Sequence, residues 1–412
     1  MPDVSGSYHP RRRSLEESGP STAAILGKID GHRIADDLWR LVQVPSPTGS
    51  ERRAALAFAE VLAAAGADVD LDESIPESPT VIGRLKGRRP GLTFQLAGHL
   101  DHIDVPHQPP ERDGESICGR GAADMKGGLA VILEVVRVLA EGGSDFPGEV
   151  LVTAWGLHER PIGDSRGLLN VIQRRVLGDA ALVAESVYSQ RDQAVIAGKG
   201  MDIWTLTLRW AGEANHELNR PPDAGGLLQT TLVAAQRLIE FSRQLEASPV
   251  EPNVSPESLF IGNMHYGDFY NRTATTCSIQ GTRRWNPGRT REQVLRELQD
   301  LVRAIPCPQN VSAAIEFQPG SEAFRVDPDT AVVKALRSAW QEVNGSPMKL
   351  GLLSVITDAN FLVGIGGVPA VLLYTDNRCA HTDREVVQIE NLVGSCRVAL
   401  LTTLNFLETG RE

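Results

Sequence analysis

Cysteine is scarce and never closely paired. Cys118, Cys277, Cys307, Cys379 and Cys396 are odd in number, far apart and form no Cys-x-x-Cys. This argues against a disulfide scaffold and a thiolate zinc site, and suits reduced thiols in a cytoplasmic protein. Long hydrophobic runs are also missing: no stretch reaches the ~18 apolar residues of a membrane span, so no membrane partner is expected. The cluster Arg11-Arg12-Arg13 lacks the roughly 7–15 apolar residues that follow the basic part of a leader. Residues 1–25 are therefore expected to be disordered and the protein cytoplasmic. Positive charge is in deficit, with 41 Lys and Arg against 52 Asp and Glu and a net charge of −11. Nucleic acid demands a basic face, so it too is excluded, whereas a small molecule is not. The glycine-rich Gly119 to Gly128 lacks the Gly-Lys-Ser/Thr of a phosphate loop.

What is present is an ordinary globular composition, 42% hydrophobic and 23% charged, over 412 residues. That length predicts two domains. Helical spacing of apolar residues appears from Ile29 to Val44, Arg53 to Ala65 and Gly128 to Ala140. Short apolar runs predict strands at Val81 to Leu85, Leu92 to Ala97, Glu149 to Ala154 and Ala180 to Ala184. Strands alternating with helices imply an α/β layered domain with a mostly parallel sheet. Near Gly200 the pattern changes to alternating residues at Trp204, Leu206 and Leu208, then a helix from Gly226 to Leu245. Strands at Ser258 to Met264 and Thr276 to Arg283, a helix from Arg291 to Ala304, and Ala313 to Phe317 complete an α+β unit. After Pro319 the α/β pattern returns, with helices at Asp329 to Val343 and Ile389 to Leu407 around Val368 to Leu373. The expected organisation is a catalytic domain in two parts, 26–199 and 319–412, interrupted by an inserted unit at 200–318.

Three distant segments share one chemistry: Gly98-His99-Leu100-Asp101, the glycine-flanked Asp124-Met125-Lys126-Gly127-Gly128, and Cys379-Ala380-His381-Thr382. Each puts a His or Asp in a turn-rich loop, and imidazole with carboxylate suits a divalent metal. His99, Glu159 and Glu185 all closely follow apolar strand-like runs, where site residues of parallel sheets collect. His102, His107 and His265 are expected to be polar surface residues.

In order and spacing, from about Asp30 onward, these segments resemble a metallohydrolase family. It includes acetylornithine deacetylase, succinyl-diaminopimelate desuccinylase, aminoacylases and glutamate carboxypeptidase. The resemblance implies that His99, Asp124 and Glu185 hold one cation. Asp124 would bridge to a second, held by His381 and a carboxylate near Glu159. Zinc, manganese or cobalt would serve, as one or two ions per subunit. It further implies that Asp101 orients His99 and that His216, in Ala214-Asn215-His216, supports an oxyanion. Asn271 and Arg284 match positions that bind a substrate carboxylate, and Arg378 is another candidate anion contact. The inserted unit would act as a lid and dimerisation domain, making a homo-oligomer.

The chain departs from the family at a Glu-Glu pair, where it has His158-Glu159-Arg160. If Glu159 is the ligand, His158 stands in the position of the general base. If Glu159 is the base, Arg160 replaces the ligand and a single-metal site follows. The proline that follows the family's Asn is also missing, at Asn271-Arg272-Thr273-Ala274. The expected activity is metal-dependent hydrolysis of a C–N amide bond in a small carboxylate-bearing substrate, such as an N-acyl amino acid or dipeptide. The alternatives are hydrolytic deamination of an aromatic amino acid such as a nitroanthranilate, and a non-catalytic binding relative.

Overall fold

A computed structural model describes residues 22–159, 163–185, 191–250 and 254–410. Arg160 and residues 1–21 lie outside the described residues. Residues 22–25, expected to end a disordered segment, form most of helix α1 (Thr22–Leu26).

The first part of the chain builds α2 (Gly31–Val42), α3 (Arg52–Ala64), β1 (Asp68–Asp72), β2 (Thr80–Lys86) and β3 (Arg89–His99). Helix α2 starts where the Asp30 side chain accepts the His32 amide, and it buries Ile34, Leu38 and Leu41, the predicted stripe. A small ribbon, β4 (Glu111–Arg112) and β5 (Ser116–Cys118), precedes α4 (Gly127–Glu141), β6 (Pro147–Trp155), α5 (Arg166–Gln173), β7 (Ala180–Val183) and β8 (Gln193–Gly198). Helix α4 is apolar almost all round and is buried between the sheet and α2 and α10 (Ile389–Thr409).

The inserted segment forms its own antiparallel sheet from β9 (Gly200–Trp210), β10 (Ser258–Tyr266), β11 (Thr276–Trp285) and β12 (Val311–Ser321), in the order β10-β11-β9-β12. Helices α6 (Gly225–Glu246) and α7 (Arg291–Arg303) cover it. Trp204, Leu206, Leu208, Leu238, Ile279 and Leu298 form a second core, separate from the main one. The chain then returns through β13 (Phe324–Arg325), α8 (Ala331–Asn344), β14 (Lys349–Leu353), α9 (Asp358–Gly364), β15 (Ala370–Leu372) and β16 (Val386–Gln388) to α10.

The main sheet runs β1-β2-β6-β3-β7-β15-β8-β13, with β14 also on β8. Its central strands β6, β3, β7 and β15 are parallel, and antiparallel pairs lie toward the edges. The α/β fold with a mostly parallel catalytic sheet and a separate α+β unit is thus the observed one. The arrangement matters for position: β6, β3 and β7 are neighbours, so their carboxyl ends open onto one place.

Candidate metal centre

His99 is the last residue of β3 and pairs in register with Trp155, the last of β6. Glu185 comes two residues after β7 ends, and His158 and Glu159 follow β6 by a short turn. Three adjacent parallel strands therefore deliver His99, Glu159 and Glu185 to one rim. Asp124 arrives differently, in an irregular turn of helix (Ala122–Lys126) where its φ of −136° and ψ of 95° leave helical geometry. His381 arrives on the loop before β16, with a left-handed φ of 62°.

The side chains converge. His99 Nε2 lies 3.1 Å from Asp124 Oδ1, and His381 Nε2 lies 3.2 Å from Asp124 Oδ2 and 2.9 Å from Glu159 Oε1. Asp124 thus faces an imidazole with each oxygen, as a bridging carboxylate would. Glu185 Oε2 is buried without a hydrogen-bond partner. Burial and the charge of Asp124 push Glu185 up to about 8, the signature of carboxylates crowded without enough positive charge. Against burial, His381 and His99 hold Asp124 far below the carboxylate range. Contacts with Asp124 and Glu159 raise His381 to about 11. The donor set is hard carboxylate with imidazole, and divalent cations fit it.

Asp101 does more than the sequence suggests. His99 Nδ1 is nearer to the Asp101 carbonyl, at 3.0 Å, than to its carboxylate Oδ1, at 3.5 Å. The other carboxylate oxygen accepts the amides of His158 and Glu159, at 3.0 and 2.8 Å, and the Thr48 hydroxyl. One buried carboxylate therefore fixes the turn that carries both residues. Glu51, which the sequence does not reveal, accepts the Leu157 amide from the same turn.

His158 stacks flat on His99, with centroids 4.1 Å apart and planes within 2°. Its Nδ1 is 2.8 Å from Asp358 Oδ1 on α9. By distance alone His99, His158 and Glu185 form one potential metal cluster, and His99, Asp124 and Glu159 another. Geometry separates the two. An imidazole lone pair lies in its ring plane, so a cation in the plane of His99 lies well out of the plane of a parallel, stacked His158. A cation held by His99 would therefore not also be held by His158.

Other expected residues sit elsewhere. His216 and Asn271 are 3.3 Å apart on the inserted unit, with His216 exposed. Arg284 donates to the Ser354 carbonyl at 2.7 Å and, among the described residues, has no carboxylate partner. Arg378 is exposed and paired with Asp376. His102 is not a surface residue: it is buried and accepts the Ser46 amide. Burial and Lys126 push its imidazole down to about 4, so it is neutral and structural. His107, half-buried, accepts the Glu385 amide, and His265 is exposed.

The sequence profile described as peptidase family M20/M25/M40 matches residues 95–405. The chain belongs to the M20/M25/M40 peptidase family. N-formyl-4-amino-5-aminomethyl-2-methylpyrimidine deformylase of Bacillus subtilis (strain 168) is 25% identical over 381 residues, 84% of this chain and 87% of that one. Aminopeptidase PepT from Bacillus cereus superposes with a TM-score of 0.70 at 20% identity, covering 93% of this chain and 100% of that one. The Bacillus subtilis YXEP protein, described as a dinuclear metal-binding M20 peptidase, gives 0.69 at 14% identity over 92% and 99%. This M20 member is a metal-dependent hydrolase of carbon–nitrogen bonds. Its relatives break amides, which favours amide cleavage over ring deamination.

Proposed function

We propose that this M20 hydrolase cleaves the amide of a small N-acyl amino acid or dipeptide-sized substrate, with two cations per subunit. His99, Asp124 and Glu185 hold one, and Asp124, Glu159 and His381 hold the other. The observation that carries the reading is the 2.9 Å approach of Glu159 to His381, which supports Glu159 as a ligand. His158 is left in the position of the base. When bound, zinc, manganese or cobalt supplies Lewis-acid polarisation and water activation.

The rest is the work of side chains. Asp358 holds Nδ1 of His158, so Nε2 of the neutral ring is the atom that takes a proton from the attacking water and passes it to the leaving nitrogen. Against burial, Asp358 raises the imidazole to about 9, so this form grows toward alkaline pH. His216 supports the oxyanion of the tetrahedral intermediate. Asn271 and Arg284 receive the substrate carboxylate; a half-buried guanidinium that, among the described residues, has a carbonyl partner and no carboxylate favours this for Arg284. Arg378, already engaged by Asp376, is left without a role.

The unit at 200–318 serves as lid and dimerisation domain between the catalytic parts 26–199 and 319–412. A homo-oligomer is supported by its edge strand β10, which exposes Phe260 and Met264 on a sheet edge that no other strand among the described residues covers. No helix among the described residues is long and apolar enough to cross a membrane, and a cytoplasmic enzyme fits the free thiols.

The test is a screen of N-formyl and N-acetyl amino acids, dipeptides and amino-benzoates with each of the three metals. Amide hydrolysis is expected. Ammonia release confined to the aromatic amines would overturn the reading. His158→Ala should lower kcat about 10²- to 10⁴-fold with both ions retained, whereas Glu159→Gln should lose an ion.

A further inference from the structure

The two cation positions are built by different means. His99 and Glu185 emerge from β3 and β7, hydrogen-bonded neighbours in the middle of the sheet. His381 and Asp124 lie on loops beyond the antiparallel pair β5–β16, whose register ends at Cys118 and Val386, so strand pairing brings the two loops together but stops short of both ligands. Something else must hold them in register.

A buried ion pair lies between them. Arg120 Nη1 is 2.5 Å from Glu385 Oε1, with Arg120 8% and Glu385 1% exposed. Each partner then reaches the chain next to a ligand. Arg120 Nη1 also donates to the carbonyl of Thr382, the residue after His381, at 3.0 Å. Glu385 Oε2 accepts the amide of Ala123, the residue before Asp124, at 3.3 Å. The ties continue outward: Arg120 Nη2 donates to the Pro106 carbonyl, the Glu385 carbonyl accepts the Gly119 amide, and the Glu385 amide donates to His107 Nε2. Asn377, on the same C-terminal loop, donates to the Ala123 carbonyl. Breaking a buried pair of this kind strands a charge, so the loops have no cheap alternative arrangement.

We propose that Arg120 and Glu385 are positioning residues that clasp the His381 loop to the Asp124 turn, and that they govern the Glu159–His381 cation position more strongly than the other, which shares Asp124 but keeps His99 and Glu185. Neither touches substrate or the reacting atoms. The inference rests on the two-cation reading above. The selectivity follows from construction: Asp124 is common to both positions, but the first keeps His99 and Glu185 on paired strands, whereas the second also depends on the His381 loop.

The test is titration of metal-stripped full-length protein with Co²⁺, followed by visible absorption and elemental analysis, for the wild type, Arg120→Lys, Glu385→Gln and the double variant. The wild type should take up two ions. Each single variant should bind the second ion about 10- to 100-fold more weakly, the usual effect of disturbing groups behind a ligand, with a clearly smaller loss for the first ion. Because the pair acts as one device, the double variant should lose no more than either single. Uptake of one ion by the wild type would defeat the two-cation reading and the clasp with it. Two ions in the wild type, with both retained or both lost together in folded Arg120→Lys, would overturn the clasp alone. If Glu385→Gln does not fold, as judged by circular dichroism, the milder Arg120→Lys decides.

Discussion

At the scale of single residues, the site depends on side chains that touch no substrate. Asp101 uses one oxygen to hold two successive amides, those of His158 and Glu159. Asp101→Asn should therefore weaken metal binding about 10- to 100-fold, measurable by competition with a chromophoric chelator. Asp358→Asn should leave both ions in place yet lower kcat, because His158 loses the partner that fixes its ring. Lys126 is buried, its ammonium donating to the carbonyls of Leu41 and Val44. Burial pulls it from 10.5 down to about 7. Between those values the unfolded chain binds the extra proton, so stability rises with pH from 7 toward 10.5 and is level below 7. The slope is at most about 1.4 kcal/mol per pH unit. Urea denaturation of metal-free Lys126→Met across this window should show that rise removed.

At the scale of elements, close packing of α4 against the strand ends leaves no spare room. A Cβ on Gly128 would come within 2.0 Å of the Ala184 carbonyl oxygen, next to Glu185. Gly128→Ala should cost about 1–3 kcal/mol and displace Glu185, giving a lower Tm and weaker metal uptake together. Long periodic elements such as α4, α6, α7 and α10 are legible in the sequence to within a residue or two, because each buries a repeating apolar face. The acidic edge strand β1 and the short β8 and β14 are not, since pairing with neighbours defines them more than their own pattern. The candidate ligands are legible because they cluster in short motifs. The contacts that organise them are not: Asp101 meets Glu159 58 residues on, and His158 meets Asp358 200 residues on. Only the fold supplies those meetings, and only the 2° stacking angle separates His158 from the ligands it lies among.

At the scale of the whole molecule, crowding of the buried Glu185 carboxylate beside Asp124 predicts that folding is stabilised by cations. Removal by a chelator should abolish turnover and lower Tm, and metal at about 100 times its Kd should restore about 2.7 kcal/mol. Replacing Phe260 and Met264 on the edge strand by Lys should yield monomers in sedimentation, by placing charge where a second copy would add its strand.

One pairing sets how the two halves of the molecule are joined. Gly198, where β8 ends before the inserted unit, is the register partner of Phe324, where the chain comes back. Departure and return are thus one strand spacing apart, about 5 Å, and a two-residue turn spans the gap. The inserted unit can be lifted out or exchanged as a cassette, with β8 and β13 closing as an ordinary hairpin behind it. Such an exchange would replace His216, Asn271 and Arg284 together, while His99, Asp124, Glu159, Glu185 and His381 stay in place.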